Sequence, residues 1–327
     1  MGTPEFAVPS LEALAGATEL VGVVSQPDKP QGRGLAPAPS PVARDAIARR
    51  VPLIRPATLR DTETLRVIAG WRPDLIVVAA YGKILPRAVL ELPALAAINV
   101  HASLLPRHRG ASPIAASILA GDATTGVTIM AMTEAMDAGD ILLQRAVAIG
   151  PEETTATLTE RLAALGASAL AEALDRLRGA GLVAVAQDPA LVSYASRLSK
   201  EDGRVRWSEP ATTIERKVRA FTPWPSAFTA LGGRAVKILH ARLAPEMPET
   251  ERRGHGALVA APGAEPQTPA ATGVEPGTVV AVGEQVRVAT GAGAIDLLSL
   301  QMEGKKPLPA RAFATGARLT VGARFDD

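Results

Sequence analysis

The sequence predicts an α/β fold, a doubly wound parallel sheet with helices on both faces, followed by a smaller β-domain. In the first half of the chain, short apolar runs alternate with stretches of helical spacing, as in folds built from strand–helix–strand units. The run 75–80 (LIVVAA) is apolar at every position, which is typical of a parallel strand covered on both faces. After about Gln187, short apolar runs between turn residues indicate a small β-domain, with a barrel as one option.

Length and composition agree with two domains that have aliphatic cores. The chain has 327 residues, more than one average domain needs. Hydrophobic residues make up 47% of the chain and aromatic residues only 3%, so the cores must consist mainly of Leu, Val, Ile and Ala.

Charge and residue types exclude several classes of function. The formal net charge is only +2, so any polyanion site must be local. The chain contains no Cys, which excludes disulfides, Cys-ligated zinc and thiol catalysis, and its four His residues lack a ligand spacing, so no metal is expected. No apolar run reaches the roughly 18 residues of a membrane span, and no signal peptide is recognisable. We therefore expect a soluble, cytoplasmic protein without a membrane association.

The elements of the first half follow from apolar spacing and flanking residues. A helix is expected near the start, because Pro4 suits a first helical turn and Phe6, Val8 and Leu11 form one apolar face. Strands are expected at residues 20–24, near 53, and at 75–80, 96–100, 127–132 and 141–146. The other helices are expected at residues 42–50, 62–69, 86–92, 114–119 and 157–179.

The remaining segments are expected to be loops, a linker and the β-domain. Residues 25–41 are rich in proline and contain Gly32-Arg33-Gly34, which indicates an irregular exposed loop. Residues 194–204 are polar and suit a linker. Apolar runs at 235–239, 277–282, 285–289 and 294–300 predict the strands of the β-domain. Residues 244–273 are rich in Pro, Ala, Gly and Glu and are expected to form a mobile loop insertion.

The residues Asn99 and His101 come at the end of a predicted strand, where open α/β sheets bind their ligands. They suit acyl transfer to an amine, which needs oxyanion stabilisation and proton removal. Asn99 can donate an amide N–H to the oxyanion, and His101 lies on the same side of an extended chain and can move a proton. Asp137, on a later turn, can hold His101 or a water molecule. On the residues alone, a structural histidine and an ordinary turn at Asp137 and Asp140 are the favoured interpretation.

The segment from Asn99 to Pro106 (NVHASLLP), with Asp137 after it, resembles the 10-formyltetrahydrofolate-dependent formyltransferases. Within that family, the resemblance is closest to the members that act on methionyl-tRNA. The similar motifs extend over almost the whole chain and lie at residues 2–9, 26–34, 80–86, 107–114, 194–202, 219–225, 288–294 and 300–306.

The resemblance implies a fold, a reaction and the catalytic residues. Residues 1–188 are expected to form a Rossmann-like formyltransferase domain, 189–203 a linker, and 204–327 an OB-fold barrel that binds tRNA. The implied reaction transfers formyl from 10-formyltetrahydrofolate to the α-amino group of methionine on initiator tRNA. The catalytic trio would be Asn99, His101 and Asp137, the first two stabilising the oxyanion and Asp137 helping to move the proton.

The family pattern also assigns residues to the two substrates. The folate would lie against Ser103, Leu104, Leu105 and Pro106, and the Leu105–Pro106 bond is expected to be cis. For tRNA, the resemblance assigns a key contact to Arg33, whose flanking glycines permit close approach. Further tRNA contacts are expected at Lys29, Lys200, Lys217, Arg219, Lys305 and Lys306, although each of them suits a plain surface charge as well. Trp224 is expected to be a packing residue.

Two positions depart from the family pattern. The family has a β-strand directly before the motif that begins here at Gly2, so the catalytic domain is expected to lack its first strand, with unpaired edges and a gap in the core. A start assigned several residues too late is the favoured interpretation. The other departure is His108, which replaces an aromatic residue; we expect looser packing there and no catalytic role.

Two other functions compete with formylation of methionyl-tRNA. The first is formylation of a sugar nucleotide or another small amine by the same chemistry; the Arg33 loop and the second domain argue against this. The second is tRNA binding by a catalytically compromised protein; the intact Asn99, His101 and Asp137 argue against that. No metal and no stable protein partner is implied.

Overall fold

The computed structural model describes residues 1–31, 36–179, 181–245 and 274–327. The chain divides into two compact units, which we call the N-terminal and C-terminal units. The N-terminal unit comprises Met1–Ser117, Asp122–Pro151 and Ala156–Arg197. The C-terminal unit comprises Ile118–Gly121, Glu152–Thr155 and Leu198–Asp327.

The N-terminal unit contains the predicted alternation of strands and helices. Its strands are β1 (Val23–Val24), β2 (Lys29–Gln31), β3 (Ala36–Ala38), β4 (Leu53–Ile54), β5 (Leu75–Ala79), β6 (Ala96–His101), β7 (Arg109–Gly110), β8 (Thr124–Ala131), β9 (Ile141–Ala148) and β10 (Tyr194–Ala195). Its helices are α1 (Val8–Ala17), α2 (Pro41–Ala48), α3 (Thr62–Gly70), α4 (Arg87–Leu90), and α5 (Pro113–Ala120) and α6 (Thr155–Arg178), whose ends reach residues of the other unit.

The principal sheet of this unit is mixed, with the strand order β5-β6-β8-β9. Strands β5 and β6 are parallel, but β8 is antiparallel to β6 and β9 is antiparallel to β8. The prediction of a wholly parallel sheet is therefore wrong. The short turn between β8 and β9 cannot hold the crossover that parallel neighbours require, and so these two strands form a hairpin.

Strands β1 and β4 form a separate two-stranded parallel sheet. The first two residues of the chain lie between this pair and β5 of the principal sheet. The main chain of Met1 and Gly2 connects the two: Gly2 N donates to the Val24 carbonyl at 3.0 Å, and Ala79 N donates to the Met1 carbonyl at 2.9 Å. A cavity of about 500 Å³ lies beside them, lined mainly by apolar residues of α1, β1, β5 and α6. Burial lowers the pKa of the Met1 amine to about 5.

Side-chain caps explain why two predicted helices begin where they do. Ser40 Oγ accepts the amide hydrogen of Ala43 at 3.1 Å at the start of α2, and Asp61 accepts that of Thr64 at 3.0 Å at the start of α3. The segment before α2 is less irregular than predicted. Strands β2 and β3 form an antiparallel ladder in which Pro30 faces Pro37, an arrangement that proline tolerates at a sheet edge.

Helix α6 packs on the central strands of the sheet through a glycine. A Cβ atom at Gly166 would lie 3.0 Å from Val100 Cγ1 of β6 and 3.7 Å from Val127 Cγ1 of β8. Leu158, Leu162 and Leu170 of the same helix are fully buried. The close approach helps to fix β6, the strand that carries Asn99 and His101.

The C-terminal unit is built around an antiparallel sheet with the order β11-β12-β15-β14-β13, with β16 added beside β15. These strands are β11 (Ala227–Leu231), β12 (Arg234–Leu243), β13 (Val279–Val282), β14 (Val286–Ala289), β15 (Ala294–Met302) and β16 (Leu308–Pro309), and the helices are α7 (Ala211–Ala220) and α8 (Ala310–Ala317). The C-terminal residues pair with both outer strands of this sheet. Asp326 forms a bridge with Ala230 in β11, and Arg324 forms a bridge with Thr278, next to β13.

The four predicted strands of this unit are confirmed, and several other expectations need correction. Helices α7 and α8 and strand β11 were not predicted. Tyr194 and Ala195, expected in a linker, form β10 and pair with β7. Trp224 is 57% exposed between α7 and β11, so the prediction that it packs in a core is wrong. Most of the expected insertion at 244–273 lies outside the described residues.

Gly139 is required in the turn that follows β8. A Cβ atom there would lie 1.9 Å from the Ala131 carbonyl oxygen, and the main chain would have to move. We expect Gly139→Ala to lower the free energy of unfolding by about 1–3 kcal/mol because of this overlap. Urea unfolding measures the change.

Gly16→Ala is the matched control, because no atom lies within 4 Å of the added Cβ in the exposed last turn of α1. This substitution should leave stability unchanged or raise it by up to about 1 kcal/mol. Equal urea midpoints for the two variants would contradict the steric requirement at Gly139.

Candidate active site

The candidate site lies where β6 ends. Asn99 pairs with Val78 on one side and with Met130 on the other, so it sits on an interior strand. His101 is the last residue of the strand and pairs with Thr128 of β8. Because side chains alternate along a strand, Asn99 and His101 project to the same face. The predicted position of both residues at the end of a strand is confirmed.

The side chain of Asn99 is partly buried and has no hydrogen-bond partner within the described part of the chain. A partly buried amide without a partner is unfavourable unless a ligand or water satisfies it. Its N–H group is therefore available to a bound oxygen atom.

His101 is only 6% exposed and contacts groups on both sides of its ring. Its Nε2 lies 3.1 Å from the His108 carbonyl oxygen, and its Nδ1 lies 3.7 Å from Asp137 Oδ1. Burial lowers the pKa of His101 below its usual value of 6.5, and the opposing influence of the Asp137 charge is smaller. The imidazole is accordingly neutral at pH 7.

Asp137 is held in a left-handed backbone conformation (φ 50°) on the turn between β8 and β9. Its Oδ2 accepts the amide hydrogen of Gly110 at 2.8 Å, which leaves Oδ1 towards His101. Gln187 fixes the same turn, since its Nε2 donates to the carbonyls of Asp137 at 2.9 Å and Gly139 at 2.7 Å. Asp137 is thus held by contacts on both its main chain and its side chain.

The segment Ser103 to Pro106 is anchored to β8 and β9. Thr128 Oγ1 donates to the Ser103 carbonyl at 2.7 Å and accepts the Leu105 amide hydrogen at 3.1 Å. Gln144 Nε2 donates to the Leu105 carbonyl at 2.8 Å. The Leu105–Pro106 bond is cis, as predicted.

Within this segment, only Leu104 is partly exposed. Ser103, Leu105 and Pro106 are buried, and the Ser103 hydroxyl donates to the Arg107 carbonyl at 2.6 Å. A ligand on this segment would therefore contact the Leu104 side chain and exposed main chain.

The basic residues assigned to tRNA fall into three groups. Arg33 lies outside the described residues. Lys29, Lys200, Lys305 and Lys306 are exposed. Lys217 and Arg219 on α7 are only 16% and 14% exposed and form ion pairs, Lys217 with Glu209 at 2.6 Å and Arg219 with Glu215. The last two are less accessible than the sequence suggested.

Several residues that position the site were not identified in the sequence. Thr128, Gln144 and Gln187 hold the site from β8, β9 and the segment beyond α6. Such contacts join residues that are far apart in the chain, so no local sequence pattern predicts them. The expected looser packing at His108 is wrong: this side chain is buried, and its Nε2 lies 2.7 Å from Asp122 Oδ2.

Residues 1–31, 36–179, 181–245 and 274–327 contain no group of three or more His, Asp or Glu side chains arranged to hold a metal ion. None of their helices is long and apolar enough to span a membrane.

Known proteins resemble this chain along nearly its entire length. Residues 2–174 match the family described as formyl transferase, and residues 197–318 match the formyl transferase C-terminal domain. The methionyl-tRNA formyltransferase of Geotalea daltonii is 43% identical over 327 residues, covering 99% of this chain and 96% of the relative. That of Anaeromyxobacter dehalogenans is 46% identical over 320 residues, covering 97% of this chain and 96% of the relative.

Solved structures share the fold at lower identity. An N-formyltransferase from Helicobacter canadensis, in complex with folinic acid and dTDP-3-aminofucose, is 16% identical with a TM-score of 0.63, covering 92% of this chain and 97% of its own. HypX from Aquifex aeolicus, in complex with tetrahydrofolic acid, is 20% identical with a TM-score of 0.56, covering 85% of this chain and 44% of its own. With its mixed α/β architecture and both family domains, the chain belongs to the methionyl-tRNA formyltransferase family of formyl transferases.

Proposed function

We propose that this protein transfers the formyl group of 10-formyltetrahydrofolate to the α-amino group of methionine on initiator methionyl-tRNA. The product is N-formylmethionyl-tRNA, used in the cytoplasm to initiate translation. The observation that carries the proposal is the unpartnered amide of Asn99 beside the buried His101, with Asp137 3.7 Å from the His101 ring. Relatives that share 43% and 46% of its residues over nearly the full chain support the same reaction.

Asn99 is assigned to the oxyanion. The amine attacks the formyl carbon, and the carbonyl oxygen takes on negative charge in the tetrahedral intermediate. A fixed N–H donor in a partly buried site stabilises this charge more than water does, because it needs no reorientation. Asn99 is a suitable donor because it lies on an interior strand and its amide makes no other hydrogen bond among the described residues.

His101 and Asp137 are assigned to the proton. The attacking nitrogen must lose a proton, and N10 of the folate must gain one as its bond to the formyl carbon breaks. A neutral imidazole accepts the proton of the amine at Nδ1, and the nearby Asp137 carboxylate stabilises the resulting imidazolium. The imidazolium then donates the proton to N10 as the bond between N10 and the formyl carbon breaks. Because Nε2 already contacts the His108 carbonyl, His101 contributes to oxyanion stabilisation only after Nδ1 is protonated.

The folate is assigned to the segment Ser103 to Pro106. Hydrogen bonds from Thr128 and Gln144 hold its main chain in place before any ligand binds. A binding segment fixed by supporting contacts loses little freedom when its ligand arrives. Leu104 supplies the apolar contact.

The tRNA is assigned to cations in both parts of the chain. Arg33 and Lys29 belong to the catalytic domain, residues 1–188, and Lys200 lies in the linker, residues 189–203. Lys305 and Lys306 belong to residues 204–327, which we assign to an OB-fold barrel; the bridges from Arg324 and Asp326 towards opposite ends of its strand order support closure. Lys217 and Arg219 contribute less, because acidic partners already neutralise them.

Another amine is the competing acceptor. The Helicobacter canadensis structure contains an amino-sugar nucleotide, but at 16% identity its likeness to this chain concerns the fold alone. The two methionyl-tRNA formyltransferases match both units of this chain, which favours tRNA as the acceptor.

The acceptor is tested by offering the purified protein 10-formyltetrahydrofolate with either initiator methionyl-tRNA or an amino-sugar nucleotide. We expect formylation of the charged tRNA at a rate at least about 100-fold above that of the sugar, since recognition by the second unit adds binding energy only for tRNA. Mass spectrometry of the released amino acid identifies the product. Turnover of the sugar nucleotide with charged tRNA left unmodified would contradict the proposal.

The tRNA contacts are tested with Lys305→Ala/Lys306→Ala. We expect KM for the tRNA to rise by about tenfold and the slope of log affinity against log salt to decrease by about 2, because each cation that contacts a phosphate releases counterions. KM for the folate should not change. Initial rates and filter binding at several salt concentrations give these values.

The matched control is Arg66→Ala/Arg176→Ala, which removes the same charge from exposed positions on α3 and α6. This control should retain the original salt slope. Equal slopes for both double variants would refute a contact at Lys305 and Lys306.

A further inference from the structure

The main-chain carbonyl of His108 contacts the proposed catalytic histidine. His101 Nε2 lies 3.1 Å from this oxygen. A carbonyl oxygen can only accept a hydrogen bond, so His101 must carry a hydrogen on Nε2 to make it. In the neutral ring, Nδ1 then has the free electron pair and lies 3.7 Å from Asp137 Oδ1. The direction of one carbonyl group thus selects the tautomer of His101.

Three constraints hold this carbonyl in place. The His108 imidazole is 8% exposed and its Nε2 lies 2.7 Å from Asp122 Oδ2. The His108 amide donates to Ser193 Oγ at 2.9 Å. The residue has φ 58°, in the left-handed region that non-glycine residues seldom occupy unless their surroundings impose it.

The Asp122 carboxylate is shared between two side chains. Its Oδ2 contacts His108, and its Oδ1 accepts from Arg107 at 2.6 Å. Arg107 is 53% exposed, whereas His108 and Asp122 are mostly buried. The buried contact therefore anchors the main chain at residue 108, and the exposed contact with Arg107 can be removed separately.

We propose that His108 and Asp122 are positioning residues that aim the His108 carbonyl at His101 and hold His101 as the Nε2–H tautomer. Neither residue touches the substrates. They act through His101 and leave its Nδ1, on the side of Asp137, as the nitrogen that exchanges the proton. This inference rests on the proposed function in so far as His101 takes part in the reaction.

The test compares His108→Asn with Arg107→Ala. Asparagine tolerates the left-handed conformation and keeps the carbonyl, but its side chain is too short to replace the imidazole at Asp122. Arg107→Ala removes the other partner of Asp122 and leaves the His108–Asp122 contact intact. ¹⁵N NMR of the ring nitrogens of His101, near pH 7, reports the tautomer in each full-length protein, and steady-state kinetics give kcat and both KM values.

We expect the wild-type protein and Arg107→Ala to show the Nε2–H tautomer and kcat values within twofold of each other. His108→Asn should show a mixture of tautomers and a kcat lower by about 10- to 100-fold, since misplacing a reacting group by about 1 Å has effects of this size. KM for folate and tRNA should stay within about twofold, because neither residue touches a substrate. Structural damage alone would lower kcat and change the KM values as well. A shifted tautomer with both KM values unchanged therefore indicates a positioning role.

An unchanged tautomer in His108→Asn would overturn the inference, and so would a changed tautomer with unchanged kcat. If this variant does not fold, Asp122→Asn decides the question by the same two readings. The NMR result does not depend on turnover. A wild-type protein that fails to formylate methionyl-tRNA while showing the Nε2–H tautomer would therefore count against the proposed function and not against the positioning of His101.

Discussion

The burial of His101 at the end of an interior strand is the constraint on which the site depends. Burial keeps the imidazole neutral by lowering its pKa and excludes most of the water that would otherwise contact the ring. The His108 carbonyl contacts Nε2, and the Asp137 carboxylate lies 3.7 Å from Nδ1. A neutral, oriented imidazole is the form that can accept a proton from an attacking amine.

The residues that face the two ring nitrogens of His101 lie in turns with unusual backbone conformations. Asp137 and His108 both adopt left-handed backbone conformations, and each is fixed by contacts from distant parts of the chain. Gln187 and the Gly110 amide hold Asp137, while Ser193 and Asp122 hold His108. The left-handed conformations of Asp137 and His108 are thus maintained by the hydrogen bonds around them, an arrangement common at functional sites.

Sequence reasoning succeeded where the determinants are local. Helices α2 and α3 begin after the N-cap residues Ser40 and Asp61, and the apolar run of β5 predicts a strand covered on both faces. It failed where pairing between distant residues decides: the direction of β8, the pairing of Tyr194 with Arg109, and the burial of His108. Asn99 and His101 were candidates because they follow a predicted strand, but the family motif was needed to join them with Asp137, because no spacing rule connects a strand end with a turn after a later strand.

The most direct test of the site compares Asn99→Ala and His101→Ala in single-turnover formyl transfer, with tRNA affinity measured on the same preparations. Loss of one oxyanion donor typically lowers the chemical rate by about 100- to 1000-fold. We expect a loss of this order for Asn99→Ala, a comparable loss for His101→Ala, and tRNA dissociation constants within about twofold of the wild type. A chemical rate that survives either substitution, or a rate lost together with tRNA binding, would contradict a formyl-transfer centre at the end of β6.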